Sequence, residues 1–582
     1  MFCVVRKIHT GLRPWNRHPQ KLNVFWHWLT SKKGKIPKSE AITARRWNFW
    51  GCLIIAIVYC LLLIKIIGWG IPEEDHPYTY HMDEWHQLNS VRAVFQHGTP
   101  NVEGAAYGPF LQFVLSGFYL GFWTLLGVVN PFLVKSGLTH LSEIRKIFLL
   151  LRFNTLLFGL LSIFLFAKIC QKLKLNPFLG VFLFVFNPLF LSLSNYFKYD
   201  IALLFWLCLT FYSFLLTVEN FTSRNYFWSC FFAALAVATK ISALPLLPLL
   251  VYLFFLGNFN KKKDFSFLLK GLGIFSLTFC LFGVPYLFYG RGNFGNFFSS
   301  NLFCVPIVYV PQTTDNYLLG LPWGLFLLFS QIPTLFGYSL SGLSWFSLVF
   351  LLFFSRPFSN IEKLTLAFLA VFAFSLLPLK IFWTNRALVL LPFLVLLICL
   401  ADKKVGKKGV VTIIFLIILL LIQCFQSLAW WKIKFSPDPR KVSSVWILKN
   451  IAPGNTFGIE SIPIYQMLPD IVLKEYSLKE AKIPSQTTYN YQVIVENSPS
   501  LPSLVIITNP QTASFQKVSP KKDLLLRLKK EGYVLLKEFS PDWQWYKIFG
   551  DELNFFVANL VPVPTIDLYF QPKDLKFAAK LP

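Results

Sequence analysis

Long apolar segments recur along the first 432 residues of the chain, and polar residues are concentrated in the stretches between them. About 20 apolar residues in helical conformation cross the ~30 Å hydrocarbon core of a bilayer. The pattern therefore predicts about eleven membrane-spanning helices. We place them at residues 49–69, 148–168, 176–195, 201–218, 226–240, 241–257, 265–289, 338–355, 362–379, 387–402 and 409–431.

Two further apolar segments, 108–130 and 318–337, are long enough to span, which would raise the number of helices to about thirteen. If both spanned, the basic loops at 168–174, 224 and 261–263 would move to the outer side, although Lys and Arg favour the cytoplasmic side. We therefore interpret both segments as juxtamembrane or re-entrant helices on the outer side. Such elements are tolerated where protein or water covers their backbone ends.

The orientation follows from the distribution of positive charge. Residues 1–47 carry eleven Lys and Arg and a single acid, Glu40, so this segment is expected in the cytoplasm. The first helix then leads outward, which places the loop 70–147 outside. We predict a multi-pass protein of the plasma membrane whose C-terminal residues are also extracytoplasmic.

From residue 433 the pattern changes to short β-rich runs separated by Pro, Asn and Gly, after one stretch of helical apolar spacing at 438–448. This predicts a compact external α/β domain at 433–582. The expected organisation is a basic segment (1–47), a membrane domain (48–432) and this external domain. The fold class is thus an all-α polytopic membrane protein with a C-terminal α/β domain.

Composition supports this class and removes one alternative. The chain is 55% hydrophobic and only 14% charged, which is too apolar for a soluble globular protein of this size. Its net charge of +27 would by itself suggest nucleic acid as a partner. Because many of the basic residues lie in short loops between apolar segments, the charge indicates membrane orientation instead, with lipids as partners and no nucleic acid.

Two adjacent carboxylates, Asp83 and Glu84, lie just past the first predicted span. Paired acids are costly so close to hydrocarbon, since desolvating a carboxylate takes several kcal/mol or more. They suit a general base for an acceptor hydroxyl, a divalent-cation site or a proton relay. The simpler alternative is that they favour the N-terminus of a helix over 83–97.

Three more charges belong to the predicted outer face. Asp200 begins an apolar helix, where it is either functional or an N-cap. Lys240 is the only charge between residues 226 and 257, so it needs an anionic partner or ligand unless it snorkels to the interface. Arg386 has the shape for bidentate phosphate contacts or for an interfacial anchor. Together with the acid pair, these residues predict transfer of a group from a lipid phosphate.

Four histidines surround the acid pair: His76, His81, His86 and His97. His81 and His86 are five residues apart, which differs from the one-turn spacing of the zinc-protease motif. We therefore predict no metal site and no required cofactor, and we leave a role for a divalent cation open.

The order of these motifs resembles that of the GT-C superfamily of polyprenyl-phosphate-sugar-dependent glycosyltransferases, especially the family 39-like protein mannosyltransferases and lipid A aminoarabinose transferases. The landmarks that carry the resemblance are, in chain order, Asp83-Glu84, Tyr107-Gly108-Pro109-Phe110-Leu111, Leu151-Arg152-Phe153, Tyr199-Asp200, Thr239-Lys240 and Asn385-Arg386. The family usually has Pro-Pro at 108–109, often preceded by an acid, for which Glu103 is the nearest equivalent here. The motif His81-Met82-Asp83-Glu84 is also similar to the His-Pro-Asp-Glu motif of lipid-linked-oligosaccharide and anchor mannosyltransferases, so a family 22-like assignment stays open.

The resemblance implies an inverting transferase that moves a sugar, mannose-like in the nearest families, from a polyprenyl-phosphate donor to a hydroxyl on a protein, lipid or glycan acceptor. Asp83 would be the base, with Glu84 beside it as the second catalytic acid. Substrate binding would involve Asp200, Lys240, Arg386, Glu103 and His86. A transporter or flippase for an anionic lipid or sugar, with Asp200 and Lys240 as coupling charges, is the alternative.

Overall fold

A computed structural model describes residues 38–97, 111–133, 140–257, 265–283, 332–354, 357–376, 384–406, 409–460, 467–480, 487–509, 520–541 and 563–572. Within these ranges the chain is mainly helical up to residue 435, and a small sheet follows. The predicted fold class is confirmed. Glu103, residues 107–110 of the Tyr107–Leu111 motif and most of segment 318–337 lie outside the described residues.

The helices before the sheet are α1 (Lys38–Ile66), α2 (Met82–His97), α3 (Leu111–Leu125), α4 (Leu141–Lys172), α5 (Pro177–Val185), α6 (Pro188–Leu193), α7 (Tyr199–Glu219), α8 (Ser223–Thr239), α9 (Leu246–Gly257), α10 (Phe265–Gly283), α11 (Ile332–Phe336), α12 (Tyr338–Phe354), α13 (Asn360–Leu376), α14 (Leu391–Val405) and α15 (Val410–Lys432). Short 3-10 helices at Ile241–Ala243, Thr384–Leu390 and Ile433–Phe435 join some of them.

Five helices of the described chain are long and apolar enough to cross a bilayer by length and composition: residues 48–66, α4, α7, α10 and the helix that begins at Val410. Shorter apolar helices accompany them at 111–125, 241–256 and 338–354. Each coincides with an apolar segment of the sequence. The chain is a polytopic membrane protein.

The single helix predicted at 176–195 is wrong, because the segment forms two short helices, α5 and α6. The break falls at Pro188, which has no N–H to continue α5. Asn187 caps α6 by accepting a hydrogen bond from the N–H of Phe190 at 3.0 Å. The carbonyl of Phe186 accepts a 2.9 Å hydrogen bond from the side-chain amide of Gln423 on α15. The interruption is therefore satisfied inside the protein, as backbone at membrane depth must be.

The basic loops lie together at one end of the helices. Lys172 at the end of α4 pairs with Glu219 at the end of α7 at 2.5 Å. Lys403 of α14 donates to the carbonyl of Leu173 at 3.0 Å, and the neighbouring Lys404 pairs with a carboxylate at the start of α13. Among the described residues, Asp200, Lys240 and Arg386 belong to the opposite helix ends.

The chain after α15 forms helices α16 (Pro439–Asn450), α17 (Asp470–Glu480) and α18 (Pro520–Lys530) around five strands. The strands are β1 (Thr456–Ile459), β2 (Asn490–Val493), β3 (Leu504–Thr508), β4 (Val534–Phe539) and β5 (Ile566–Phe570), in the spatial order β2-β1-β3-β5-β4. β1 is parallel to β2 and β3, whereas β5 is antiparallel to β3 and β4. The strands agree with the short β-rich runs predicted for this part of the chain.

The central strand β3 is buried on both faces, which explains its continuous apolar sequence. Leu504 and Ile506 pack in a cluster with residues of α16 and α17. Val505 and Ile507 point to the other face and pack against α18. The alternation along β3 therefore fixes which helices cover each side of the sheet.

Candidate active site

The N-terminus of α2 carries Asp83 and Glu84 in its first turn, so the predicted helix over 83–97 is confirmed. His81, which is 6% exposed, accepts a 3.3 Å hydrogen bond from the N–H of Asp83 at its Nδ1 atom. Burial, reinforced by the nearby ammonium of Lys198, lowers the pKa of His81 to about 3. The imidazole is thus neutral, and it caps α2.

Asp83 forms an ion pair with Lys198, whose Nζ atom lies 2.7 Å from Oδ2 of the carboxylate. The lysine is 5% exposed, whereas the aspartate remains 39% exposed. Partial burial alone would raise the pKa of Asp83, but the Lys198 ammonium outweighs it and holds this pKa well below the usual range. Burial lowers the pKa of Lys198, yet the carboxylates of Asp83 and Asp200 raise it above its usual value. Both groups are therefore charged.

Sequence reasoning missed Lys198. The only available signal was its place two residues before Asp200, in the stretch Tyr196-Phe197-Lys198-Tyr199-Asp200. A buried lysine beside an acid is a strong pattern only once the second carboxylate, Asp83, is known to lie next to it in space. That carboxylate is 115 residues away in the chain.

Glu84 occupies a different environment from Asp83, because its side chain is fully buried. Its two oxygens accept hydrogen bonds from Nε and NH2 of Arg152 at 2.8 and 2.7 Å. The backbone N–H of Phe197 donates to Oε1 at 2.8 Å, and Arg152 also donates to the carbonyls of Ile67 and Trp69. Both oxygens of Glu84 are therefore engaged within the protein.

Asp200 and Lys240 form the second ion pair of the site, with 2.6 Å between Nζ and Oδ1. Asp200, in the first turn of α7, is 2% exposed, and Lys240 is 12% exposed. The side-chain amide of Asn385 donates to the other carboxylate oxygen at 3.2 Å. Lys240 follows the last residue of α8 in extended conformation and lies 4.9 Å from the ring centroid of Tyr199. The partner that the sequence required for Lys240 is therefore Asp200.

Arg386 follows Asn385 in the 3-10 helix that leads into α14 and is partly exposed. It lies within electrostatic reach of Asp200 and Tyr199. Within the described ranges, no carboxylate forms an ion pair with it. Arg386 is thus a cation at the edge of the cluster that can receive an anionic group.

The two ion pairs are neighbours, because Lys198 interacts electrostatically with both Asp83 and Asp200. The described residues of this cluster bring three carboxylates together with four cations. The carboxylates are Asp83, Glu84 and Asp200, and the cations are Lys198, Arg152, Lys240 and Arg386. An excess of positive charge in a partly enclosed site favours an anionic ligand.

The remaining predicted site residues are less informative. His86 is exposed one helical turn after Asp83, close enough to act on its charge. Glu103 lies outside the described residues. In the part of the chain that the structure describes, no three His, Cys, Asp or Glu side chains are grouped so that they could hold a metal ion.

Residues 94–298 match the family model described as dolichyl-phosphate-mannose-protein mannosyltransferase. The match covers 205 of the 582 residues of the chain. The matched segment includes Arg152, Lys198, Asp200 and Lys240, whereas Asp83 precedes it. It agrees with the resemblance inferred from the short motifs.

No curated protein matches the chain significantly in sequence. Solved structures similar to it include the three that follow. The Archaeoglobus fulgidus oligosaccharyltransferase in the apo form is 14% identical, covering 72% of this chain and 63% of its own, with a TM-score of 0.42. ArnT from Cupriavidus metallidurans bound to undecaprenyl phosphate is 10% identical, covering 89% and 97%, with a TM-score of 0.41. The arabinofuranosyltransferase AftD from Mycobacteria is 12% identical, covering 93% and 40%, with a TM-score of 0.39.

The chain thus spans 63% of the length of the archaeal oligosaccharyltransferase and 40% of that of AftD. Similarities of this size assign neither a residue role nor a substrate to it.

Proposed function

We propose that this protein is a membrane glycosyltransferase that moves a sugar from a polyprenyl-phosphate donor to an acceptor hydroxyl, with inversion at the anomeric carbon and Asp83 as general base. The main support for the proposal is the ion pair of Asp83 and Lys198. The carboxylate of Asp83 is ionised and 39% exposed, whereas the ammonium that it contacts is buried. The family model supports a mannose-like donor, because its description names dolichyl-phosphate-mannose.

The reaction is a single displacement. The acceptor oxygen attacks the anomeric carbon while its proton passes to the free oxygen of Asp83. The bond between the anomeric carbon and the phosphate oxygen breaks, and polyprenyl phosphate leaves with the bonding electrons. Arg386 offers a bidentate contact to that phosphate, and Lys240 adds a second positive charge beside it.

Lys198 has two opposing effects on the base. It keeps Asp83 ionised, yet it weakens the carboxylate as a proton acceptor, because a depressed pKa means a lower proton affinity. A donor phosphate that drew the Lys198 ammonium toward itself would restore basicity to Asp83. We therefore propose that Lys198 contacts the donor phosphate during turnover, so that the base is strengthened when the donor is bound.

Glu84 and Asp200 are positioning residues in this proposal. Glu84 joins α2 to α4 through Arg152 and to the segment before α7 through the N–H of Phe197. Asp200 fixes the side chains of Lys240 and Asn385, the residue next to Arg386. Both acids therefore hold the groups that contact substrate and do not contact it themselves.

The site is proposed to face outward across the plasma membrane, with residues 1–47 in the cytoplasm and the C-terminal region outside. The grouping of the basic loops at the opposite helix ends supports this orientation. Labelling of the single-cysteine variants Glu74→Cys and Lys363→Cys by a membrane-impermeant thiol reagent tests it. We expect the Glu74→Cys protein to react in intact cells and the Lys363→Cys protein only after permeabilisation, and the reverse result would overturn the orientation.

The decisive experiment incubates purified protein with polyprenyl-phosphate sugars and an acceptor pool, and measures released polyprenyl phosphate together with glycosylated product. The proposal expects both products in equal amounts from the wild type. Movement of the labelled donor across vesicles without either product would favour the transporter or flippase instead. Absence of release with every donor would reject the transferase.

A further inference from the structure

The C-terminal region contacts the loop between α1 and α2. Arg440, near the start of α16, is fully buried, and its guanidinium carbon lies 3.2 Å from the ring centroid of Tyr80. Asp438 fixes the same guanidinium through two hydrogen bonds, from Nε to Oδ1 at 2.8 Å and from NH2 to Oδ2 at 2.7 Å. The carboxylate of Asp438 therefore fixes the edge of the Arg440 guanidinium, and the flat face of the guanidinium stacks on the Tyr80 ring.

Tyr80 is enclosed on its other sides as well. Its ring makes an edge contact with Trp69 at 5.2 Å between centroids and a tilted contact with His76 at 4.6 Å. The N–H of Tyr80 donates to the carbonyl of Gly70 at 2.9 Å. Gly70 has φ +62°, and a Cβ atom there would overlap the tyrosine ring. These contacts fix the position of the Tyr80 ring, and Arg440 covers its remaining face.

Tyr80 is only three residues before Asp83, the candidate base, and a hydrogen bond to the intervening His81 connects the two. His81 directly follows Tyr80, and its Nδ1 atom accepts from the N–H of Asp83. The hydroxyl of Thr79 donates to the carbonyl of His81 at 2.8 Å, and the His81 ring lies 4.7 Å from that of Tyr196. These contacts connect Tyr80 to the start of α2, where Asp83 meets Lys198.

Two other ion pairs join the same loop to the C-terminal region. Lys441 lies 3.0 Å from Glu73, and Lys474 lies 3.5 Å from Asp75. All four side chains are about one-third or more exposed, so solvent and salt weaken these contacts. Of these contacts between the loop and the C-terminal region, the buried one between Arg440 and Tyr80 is therefore expected to fix the loop most strongly.

Building on the function proposed above, we propose that Arg440 is a positioning residue for Asp83, and that the C-terminal region sets the geometry of the base through the Arg440–Tyr80 contact. The C-terminal region is then part of the catalytic apparatus and not a separate module. Arg440 itself contacts no reacting atom.

The test compares Arg440→Lys with the matched control Lys474→Ala, which removes an exposed contact of the same loop. Arg440→Lys keeps the charge but loses the planar face and the fork that Asp438 binds. We expect kcat to fall by about tenfold, with KM for the donor changing by less than about twofold, because the base is misplaced while the phosphate contacts remain. We also expect an acid limb of the kcat–pH profile to appear at higher pH, because lengthening the Lys198 contact raises the pKa of Asp83.

Amide hydrogen exchange gives a readout that does not depend on catalysis. In Arg440→Lys, exchange at residues 80–84 should become faster while exchange in β3 stays unchanged, and Lys474→Ala should leave both as in the wild type. If Arg440→Lys does not accumulate as folded protein, Tyr80→Leu removes the aromatic face from the loop side and is expected to give the same pattern.

The possible results separate the two proposals. An inactive wild type with faster 80–84 exchange in Arg440→Lys would reject the transferase but keep the mechanical link. Unchanged exchange at 80–84, or a reduced kcat without any change in the pH profile, would overturn the positioning role of Arg440 even if the transferase activity is established.

Discussion

The Nζ atom of Lys198 lies 2.7 Å from Oδ2 of Asp83, so the candidate base is paired with a cation that is 115 residues distant in the chain. The lysine is buried while the aspartate keeps an exposed face. One oxygen of the carboxylate is thus held by Lys198, and the exposed face suits the role of base proposed above.

Replacement of Asp83 by Asn removes the proton acceptor while keeping nearly the same shape. We expect kcat to fall by about 10²–10⁴-fold, the usual contribution of a general base. The measurement is release of polyprenyl phosphate by protein purified in equal yield. Asp75→Asn, at an exposed position of the same loop, is the matched control and should keep full activity. An active Asp83→Asn enzyme would exclude Asp83 as the base.

Replacement of Lys198 by Met leaves Asp83 without its ammonium partner. The pKa of Asp83 should then rise toward the ordinary value of about 3.9, and binding of the donor phosphate should weaken. In the wild type, Asp83 has a lowered folded-state pKa, so the pair stabilises the fold above the unfolded-state pKa, and this contribution disappears as pH falls through the folded-state value. Thermal unfolding between pH 3 and pH 7 should therefore show a smaller stability difference between the two proteins at the acid end. A constant difference across this range would contradict the ion pair.

Glu84→Gln tests whether Glu84 positions the site. It leaves the buried Arg152 without a charged partner, and breaking such a pair costs about 3–5 kcal/mol. We expect a lower unfolding temperature in detergent, and we expect the double variant Glu84→Met with Arg152→Met to be more stable than either single variant. Additive losses in the double variant would mean that the two side chains do not depend on each other.

Asp470→Asn is expected to stabilise the protein near and above neutral pH. Burial raises the pKa of Asp470 to about 7, an effect opposed by Arg440 and Lys441 and reinforced by Asp438 and Asp75. An acid whose folded-state pKa is raised binds more protons folded than unfolded, so stability falls as pH rises from about 4 to 7. At pH 8 the substitution should therefore recover up to about 4 kcal/mol.

The matching measurement is the unfolding temperature of the wild type and Asp470→Asn at pH 5 and pH 8, with Asp523→Asn as the control on α18. The gain should be absent or reversed at pH 5 and present at pH 8. An equal effect at both values would show that Asp470 does not titrate in this range.

The sequence predicted much of the architecture because apolar length and period determine helices directly. The positions of α4, α7, α10 and α15 and of all five strands were predicted from these patterns. The break at Pro188 was missed, although the dipeptides Asn176-Pro177 and Asn187-Pro188 are ordinary markers of a helix start. These two markers were overlooked because both short helices are apolar, so that the segment resembles one continuous span.

The pairing of charges within the site was only partly predictable. Sidedness alone brought Asp83, Asp200, Lys240 and Arg386 to one face, and the structure places them close together. Sidedness does not determine which cation meets which acid. The Glu84–Arg152 pair and the Asp83–Lys198 pair join residues 68 and 115 positions apart, so only tertiary packing assigns one acid to the interior and the other to the surface.

The hydrogen bond that the Gln423 side chain donates to the Phe186 carbonyl imposes an order on biosynthesis. The two residues are 237 positions apart, which at about 5–20 residues per second separates their synthesis by roughly 10–50 s. During that interval the segment 176–195 enters the bilayer before the helix that completes it exists. The break at Pro188 and its Asn187 cap form locally, but the Phe186 carbonyl gains this partner only when α15 arrives. This part of the membrane core is therefore completed only after insertion of α15.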